Sequence, residues 1–208
     1  MLINVRELVG RFNMKINGIL HIGAHECEEL NDYVSVGVNR NNIYWVEGQE
    51  SIVNNMKQKG IQHIYHGLID EENDKEVVFN IANNGQSSSI LEFGSHLKHH
   101  PQVHYVSKSN CKTIRLDTLI ERENIPVNEL NFLNLDIQGV ELRALKSMEK
   151  YLSQFNYIYT EVNTEEVYKN CAKMNEIDDY LKQFGFIRRD VRIYNQFGWG
   201  DAIYIKQN

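Results

Sequence analysis

The strongest constraint on the fold of this chain lies in its first fifty residues. The short apolar run Ile19–Ile22 ends in a small-residue turn at Gly23 and Ala24, and a polar segment follows. A second apolar run, Ile43–Val46, then ends on the acidic residue Glu47. Strand, turn, helix, strand and acid within about thirty residues form the pattern of a βαβ unit in an open sheet. In such units the turn approaches an adenosine-containing cofactor and the acid binds ribose hydroxyls, so the pattern predicts a cofactor site.

Composition narrows the class of protein and its partners. The length of 208 residues predicts a single domain, residues 1–208. The net charge of −6 argues against a nucleic-acid partner. The sequence shows no signal-peptide pattern and no apolar stretch long enough to cross a bilayer. Because its three cysteines are widely spaced, as in proteins with reduced thiols, we expect a cytoplasmic protein.

Apolar periodicity predicts the order of helices and strands. Helices are expected at residues 2–13, 26–36, 51–59, 139–152 and 176–184. Strands are expected at residues 19–22, 43–46, 61–65, 77–82, 132–135, 157–162, 186–194 and 202–206. Residues 92–112 show no clear period, and we interpret about 83–112 as an irregular insertion on the substrate side. This order predicts an α/β fold with a mostly parallel, doubly wound sheet and an antiparallel final strand.

Acidic residues end three of the predicted strands. Glu47, Asp136 and Glu161 each follow a buried apolar run. Since ligands of open α/β sheets bind beyond the carboxyl ends of the strands, these three side chains are expected to converge on one site.

Several motifs, in their order and spacing, are shared with one known family. They are His21–His25, Trp45–Glu47, Ser87–Ile90, Thr113–Leu119, Leu135–Glu141, Thr160–Asn163 and Gly198–Ala202. With them the chain resembles the FkbM-type S-adenosylmethionine-dependent methyltransferases over nearly its whole length. The resemblance implies a Rossmann-like methyltransferase fold and O-methylation of a hydroxyl, often on a sugar or a polyketide-like product. It also implies cofactor contacts at the first turn and at Glu47.

Two departures from the family pattern fall on candidate site residues. Family members commonly carry Asp-Val-Gly-Ala-Asn-x-Gly at the first turn, whereas this chain has His21, His25 and Cys27 at the Asp, Asn and second Gly positions. Many members also have Glu where this chain has Gln138. We interpret both departures as marks of a subgroup.

The candidate cofactor residues follow from the first turn and from the resemblance. Gly23 and Ala24 would let the backbone approach the methionine portion of the cofactor, although an ordinary strand-to-helix turn also explains them. The turn lacks the GxGxxG pattern that a dinucleotide requires, which favours the methyl donor over NAD. The resemblance places the adenine at Gly67 and Leu68, where a plain loop is the alternative. The expected contacts are His21, Gly23, Ala24, His25, Glu47, Gly67, Leu68, Asp136 and Gln138.

Methyl transfer to an alcohol needs a base that removes the hydroxyl proton. The candidates, in falling order of preference, are Asp136, Glu161, His25 and Asp201. Asp136 has an alternative interpretation as a helix N-cap. Asp201 has one as a turn residue beside Trp199, whose ring could stack on a sugar.

Three further groups have open interpretations. Asp136, Glu161 and Asn163 together form an oxygen-rich set suited to Mg²⁺, although hydrogen bonding to a sugar without metal is preferred. Glu141 suits either a favourable helix-dipole position or a substrate contact. The histidines from His96 to His104 match no familiar zinc pattern and are expected to be solvated loop residues.

The sequence therefore predicts an S-adenosylmethionine-dependent O-methyltransferase that acts on a small-molecule or glycan hydroxyl. One alternative is a non-catalytic binding module that keeps the fold, which the altered first turn would favour. Another is a nicotinamide-dependent sugar-modifying enzyme, against which the missing dinucleotide turn argues.

Overall fold

A computed structural model describes residues 1–207 of the protein. Its main sheet contains β1 (Ile19–Ile22), β2 (Ile43–Glu47), β3 (Ile64–His66), β6 (Phe132–Leu135), β7 (Tyr157–Asn163), β8 (Phe186–Tyr194) and β9 (Trp199–Lys206). A separate two-stranded ribbon contains β4 (Glu76–Ala82) and β5 (Tyr105–Lys112). The helices are α1 (Val5–Phe12), α2 (Leu30–Ser35), α3 (Glu50–Gln58), α4 (His96–His99), α5 (Leu116–Arg122), α6 (Glu141–Ser147) and α7 (Met174–Lys182).

The seven strands of the main sheet are ordered β3-β2-β1-β6-β7-β9-β8. All neighbours up to β7 are parallel, and β9 is antiparallel to both β7 and β8. The prediction of a mostly parallel sheet with an antiparallel final strand is therefore confirmed. The chain runs outward from β1 to β3 and then returns to β6, so the switch in direction lies between β1 and β6, where such sheets bind ligands.

Both faces of the sheet are buried, which explains why its central strands are apolar throughout. On one face Leu20 and Leu133 pack in a cluster that includes residues of α5 and α6. On the other face Ile19, Trp45 and Phe132 pack in a cluster that includes residues of α1 and α3. This two-sided packing fixes the ends of β1, β2, β6 and β7 relative to one another.

The helix predicted at 26–36 begins later than expected. In the structure α2 starts at Leu30, and the residues before it form turns. His25 and Cys27 have left-handed backbones, with φ of 41° and 58°, and this conformation cannot be part of a right-handed helix. Asn and Gly adopt it with the least strain, so the family residues at these two positions suit the same backbone.

The helix predicted at 139–152 is divided. Gly139 has a φ of 98°, so α6 begins only at Glu141 and ends at Ser147. A 3₁₀ segment, Glu149–Gln154, follows it. Apolar spacing continues across the break, which is why periodicity alone indicated one helix.

The interpretation of 92–112 as irregular is wrong for its second half. Residues Tyr105–Lys112 form β5, which pairs antiparallel with β4. Most side chains of β5 are exposed, so the strand lacks the alternation of apolar and polar residues that identifies strands in sequences. The first half of the 92–112 segment contains the short helix α4.

The helices of residues 1–207 include none with the length and apolarity that crossing a bilayer requires.

Candidate active site

A cavity of about 450 Å³ lies beyond the carboxyl ends of β1, β2, β6 and β7. It brings together every residue proposed from the sequence as a cofactor contact or base, namely His21, Gly23, Ala24, His25, Glu47, Gly67, Leu68, Asp136, Gln138, Glu161 and Asp201. We call the part lined by His25, Glu47 and Leu68 the β2 side. The part lined by Asp136, Glu161, His96, Tyr168 and Trp199 is the β7 side.

The turn after β1 is tied to β2 by its backbone. The N–H groups of Gly23 and Ala24 both donate to the Val46 carbonyl, at 2.8 and 3.0 Å. A Cβ atom on Gly23 would overlap the Asp136 carbonyl oxygen, and the φ of Gly23 is 86°. Glycine is therefore required here because the loops after β1 and β6 cross closely. The ordinary-turn interpretation accounts for Gly23, although the residue also lines the cavity.

Glu47 is buried at the end of β2 and accepts two backbone hydrogen bonds. One carboxylate oxygen accepts from the His25 N–H and the other from the Gln49 N–H, both at 2.8 Å. Burial raises its pKa above the ordinary value, while these donors act in the opposite direction. Because a carboxylate has about four acceptor positions, Glu47 retains the capacity to bind two ribose hydroxyls.

An apolar slot adjoins Glu47 on the β2 side. Leu68 and Phe79 lie next to Gly48, where an added Cβ would be 3.0 Å from the Leu68 side chain. The Gly67 N–H donates to the Glu47 carbonyl at 3.1 Å, and a Cβ on Gly67 would overlap Leu119. Gly67 is thus required by packing, while the side chains of Leu68 and Phe79 give this part of the cavity an apolar lining.

His25 is held in an ion pair at the entrance to the β2 side. Its Nδ1 lies 2.6 Å from Glu28 Oε1. This hydrogen bond raises the pKa of His25. Burial alone would raise the pKa of Glu28, but the hydrogen bond with His25 helps to lower it to about 2. A raised pKa favours the protonated imidazole, which cannot accept a further proton, so this contact weighs against His25 as the base.

His21 lies in a buried polar cluster beneath the turn. Its Nδ1 is 3.1 Å from the Tyr33 hydroxyl, which also accepts from Asn134 at 2.7 Å. Its ring packs on Trp45 with centroids 4.9 Å apart. Burial lowers the pKa of His21 to about 4, so the imidazole is neutral at pH 7.

Asp136 and Glu161, on the β7 side, are bridged by Gln138. Gln138 Nε2 donates to Asp136 at 2.7 Å and to Glu161 at 3.0 Å. Its Oε1 accepts from the Tyr168 hydroxyl at 2.5 Å, which fixes the orientation of the amide. Gln138 has a left-handed backbone with φ of 57°, and the Ser89 hydroxyl donates to its carbonyl. The two acids are predictable because they end parallel strands, whereas Tyr168 lies in a loop and carries no local signal of its contact with Gln138.

Burial also changes the acidity of these two carboxyl groups. Burial, reinforced by the charge of Asp201, raises the pKa of Asp136 to about 6. Burial and the charge of Asp136 raise the pKa of Glu161 well above its ordinary value. A carboxylate with a pKa near 6 is a competent proton acceptor at neutral pH.

Glu141, and not Asp136, occupies the start of α6. Its buried carboxylate accepts from the N–H groups of Ile137 and Gly139 at 3.1 and 3.0 Å. It is not among the residues that line the cavity in the described chain. This placement supports the helix-end interpretation of Glu141, and burial raises its pKa to about 7.

Asp201 lies within β9, directly opposite Glu161, so its placement in a turn was wrong. Its Oδ2 accepts from the Leu2 N–H at 2.6 Å and from the Tyr159 hydroxyl. Leu2 belongs to the segment before α1, which this bond ties to the sheet, and Tyr159 belongs to the neighbouring strand β7. Asp201 lines the cavity, but these contacts engage it structurally.

Asn163, the third member of the proposed magnesium set, is the last residue of β7. It is fully buried and is not among the cavity-lining residues that the structure describes. Within residues 1–207, no group of three or more His, Cys, Asp or Glu side chains is placed to hold a metal ion.

The interpretation of residues 96–104 as solvated histidines is wrong for His96. Its ring stacks on Phe93 with centroids 4.4 Å apart, and only 6% of the residue is exposed. Burial lowers its pKa to about 4, so His96 is neutral at pH 7. Its Nδ1 has no hydrogen-bond partner among residues 1–207. His99 instead bonds Glu165 at 2.8 Å.

Comparison with known proteins connects this site to a family. The profile of the "Methyltransferase FkbM domain" matches residues 20–188. The 2-O-methyltransferase NoeI of Sinorhizobium fredii is 25% identical over 101 residues, which make up 49% of this chain and 41% of NoeI. The chain thus spans less than half the length of this relative.

Solved structures show the same fold. The FkbM methyltransferase of Methylobacillus flagellatus superimposes with a TM-score of 0.55 at 13% identity, over 91% of this chain and 43% of that one. The magnesium protoporphyrin IX methyltransferase of Synechocystis with bound SAH gives a TM-score of 0.52 at 8% identity, over 98% and 80%. The expected Rossmann-like methyltransferase fold is confirmed. Since the family profile covers most of the sequence, this chain belongs to the FkbM methyltransferase family.

Proposed function

We propose that this protein is an S-adenosylmethionine-dependent methyltransferase that methylates a saccharide hydroxyl. The observation that carries the proposal is the pair of buried acids Asp136 and Glu161, bridged by Gln138 within 3.0 Å of each. This pair faces the same cavity as Glu47 and the apolar slot beside it. A cofactor pocket and a proton acceptor thus adjoin in one cleft.

The residues of the β2 side fit the cofactor. Glu47 has free acceptor positions for the ribose, and Leu68 with Phe79 and Gly48 offers a slot for the adenine. A cavity of about 450 Å³ falls within the range typical of cofactor sites. When bound, this cofactor supplies a methyl group activated by a positively charged sulfur, and acidic side chains near the cavity favour a cation.

The same contacts argue against a dinucleotide. A pyrophosphate binds through free backbone N–H groups at the first turn of such a sheet. Here the N–H groups of Gly23 and Ala24 already donate to Val46, and that of His25 donates to Glu47. The nicotinamide-dependent alternative therefore loses the backbone donors that it would need.

Asp136 is the base in this proposal. It would take the proton from the acceptor hydroxyl as that oxygen bonds to the methyl carbon and the carbon–sulfur bond of the cofactor breaks, with the electron pair staying on sulfur; the proton would remain on the carboxyl group. Gln138 orients Asp136, while burial and the charge of Asp136 raise the pKa of the neighbouring Glu161 well above its ordinary value. The assignment follows the order of preference given by the sequence.

The proposal of a saccharide hydroxyl as the acceptor has two supports, the first for the hydroxyl and the second for the sugar. NoeI, which is similar to half of this chain, is named as a 2-O-methyltransferase. Trp199 lines the β7 side and offers an aromatic face of the kind that stacks on sugars.

Calorimetric titration with S-adenosylhomocysteine and with NADH tests the proposal. We expect S-adenosylhomocysteine to bind and Glu47→Gln to weaken it about 10- to 100-fold, because one amide oxygen cannot replace both carboxylate acceptors. Glu50→Gln, a nearby exposed position in α3, is the matched control and should bind normally. Absence of S-adenosylhomocysteine binding, or tighter binding of NADH, would disprove the proposed function. Binding without methyl transfer to any hydroxyl would favour the non-catalytic alternative.

A further inference from the structure

Acidic residues far outnumber basic ones among the charged side chains that line the cavity. Six carboxylate residues line the cavity, namely Glu28, Glu29, Glu47, Asp136, Glu161 and Asp201. Among the lining residues within 1–207 there is no Lys or Arg. An enzyme that binds phosphate or carboxylate groups ordinarily does so through Arg, Lys or free backbone N–H groups. Around the acids of the β7 side, Asp136 and Glu161, the lining residues described by the structure include neither Arg nor Lys.

The imidazole of His25 is already paired. Its Nδ1 lies 2.6 Å from Glu28 Oε1. This nitrogen is therefore not free to donate to an anion on the acceptor. The backbone N–H groups at the first turn are also occupied, by Val46 and Glu47.

The β7 side instead offers uncharged polar and aromatic groups. The neutral ring of His96 lines the cavity, and only 6% of the residue is exposed. Its Nδ1 has no hydrogen-bond partner among the described residues. A buried polar atom without a partner costs free energy unless a ligand or water satisfies it. Tyr168 and Trp199 complete this wall with aromatic surface. Hydroxyl groups and apolar sugar faces match such a surface, whereas anions do not.

We propose that the acceptor is an uncharged saccharide and that the cavity rejects saccharides carrying phosphate, carboxylate or sulfate beside the reacting hydroxyl. This inference rests on the proposed function and specifies its substrate class. An anion on the β7 side would lie near Asp136, Glu161 and Asp201 in a site where water screens charges poorly. Repulsion would therefore weaken the binding of an anionic acceptor. It would also oppose the ionisation of Asp136, which must be ionised to act as the base.

The experiment measures transfer of a radiolabelled methyl group from S-adenosylmethionine to a glycan panel. The panel contains neutral glycans, their uronate, sulfate and phosphate counterparts, and amine-bearing counterparts. We expect neutral glycans to be methylated with kcat/KM at least about tenfold above their anionic counterparts, and amine-bearing glycans to be tolerated. Equal or faster methylation of an anionic counterpart would overturn the inference, as would the failure of every neutral glycan.

A substitution at the cavity rim provides an internal test. Gln102 is exposed, lines the cavity and uses only its backbone carbonyl in hydrogen bonds among residues 1–207. Gln102→Arg should raise the rate with anionic glycans relative to neutral ones by about three- to tenfold, because it introduces a cation. Gln102→Met, of similar length and no charge, is the matched control and should leave the ratio unchanged. An unchanged ratio in Gln102→Arg would contradict the charge argument.

Calorimetry with S-adenosylhomocysteine separates the two proposals. If S-adenosylhomocysteine does not bind, the proposed function fails. If it binds and anionic glycans are the ones methylated, only the charge selectivity fails.

Discussion

The β2 side and the β7 side of the cavity are built in opposite ways. On the β2 side the polar groups are satisfied within the protein, as both oxygens of Glu47 accept backbone N–H groups at 2.8 Å. On the β7 side one amide bridges two buried acids, and His96 Nδ1 has no partner in the described chain. Polar groups that are already hydrogen-bonded within the protein are held in place and suit the binding of a cofactor. Acids with raised pKa values suit proton transfer instead.

The difference has a structural origin. The β2 side is made from strand ends and left-handed turns whose positions the sheet fixes, including Gly23 and His25. The β7 side combines strand ends with side chains from distant loops, such as Tyr168 and His96. Substitutions on the β7 side should therefore change the rate of reaction, while those on the β2 side should change cofactor affinity or stability.

The largest effect is expected from Asp136→Asn. The amide has the same shape but accepts a proton far less readily, so methyl transfer to the neutral glycan selected above should fall about 10²- to 10⁴-fold. The affinity for S-adenosylhomocysteine should change much less than this. Radiolabel transfer and calorimetry on the same preparation measure the two quantities.

Asp201→Asn is the matched control for this prediction. Because Asp201 accepts from Leu2 and Tyr159, its substitution should mainly lower the free energy of unfolding. A rate loss in Asp201→Asn equal to that in Asp136→Asn, without a loss of stability, would reassign the base to Asp201.

On the β2 side the sharpest expected effect is on stability. Gly23→Ala adds a Cβ that overlaps the Asp136 carbonyl, at a φ of 86°. We expect the free energy of unfolding to fall by about 2–4 kcal/mol, from both the clash and the backbone strain. Urea denaturation followed by circular dichroism measures this change.

Gly37→Ala separates the two contributions. Its φ is 94°, but an added Cβ would meet nothing within 4 Å among the described residues. It should therefore cost only the backbone strain, about 1–2 kcal/mol. Equal losses for the two variants would mean that the crossing of the loops after β1 and β6 does not require glycine.

The sequence predicted those parts of the fold and site that depend on local pattern. The strands β1, β6 and β8 have the expected bounds because a glycine or a polar residue stands directly before and after each of them. Asp136 and Glu161 were found because parallel strands bring their carboxyl ends to one edge. β5 was missed because its exposed faces remove the alternation on which strand prediction depends.

Contacts between distant segments could not be predicted in this way. Tyr168 is thirty residues from Gln138 in the chain, and neither carries a local sign of their hydrogen bond. The buried state of His96 depends on stacking with Phe93 and on packing against Tyr168. The left-handed backbones at His25 and Cys27 shortened α2 although neither residue is a usual helix breaker.

The smallest effect, and the most specific, is expected from Tyr168→Phe. The base must be ionised, so kcat/KM of the wild-type enzyme should rise with pH through the pKa of Asp136, about 6, and then level off. Without the Tyr168 hydroxyl, Gln138 loses the contact that orients its amide, and the Nε2 donor that favours ionised Asp136 weakens. The pKa of Asp136 should rise, so the rate should fall about two- to fivefold near pH 6 and remain unchanged near pH 8.

Tyr105→Phe is the matched control, because it removes a hydroxyl that is hydrogen-bonded to Phe93 and Leu91 instead. It should leave the pH profile of kcat/KM unchanged. A loss in Tyr168→Phe that is the same at every pH would mean that Tyr168 only supports the fold and does not set the acidity of the base.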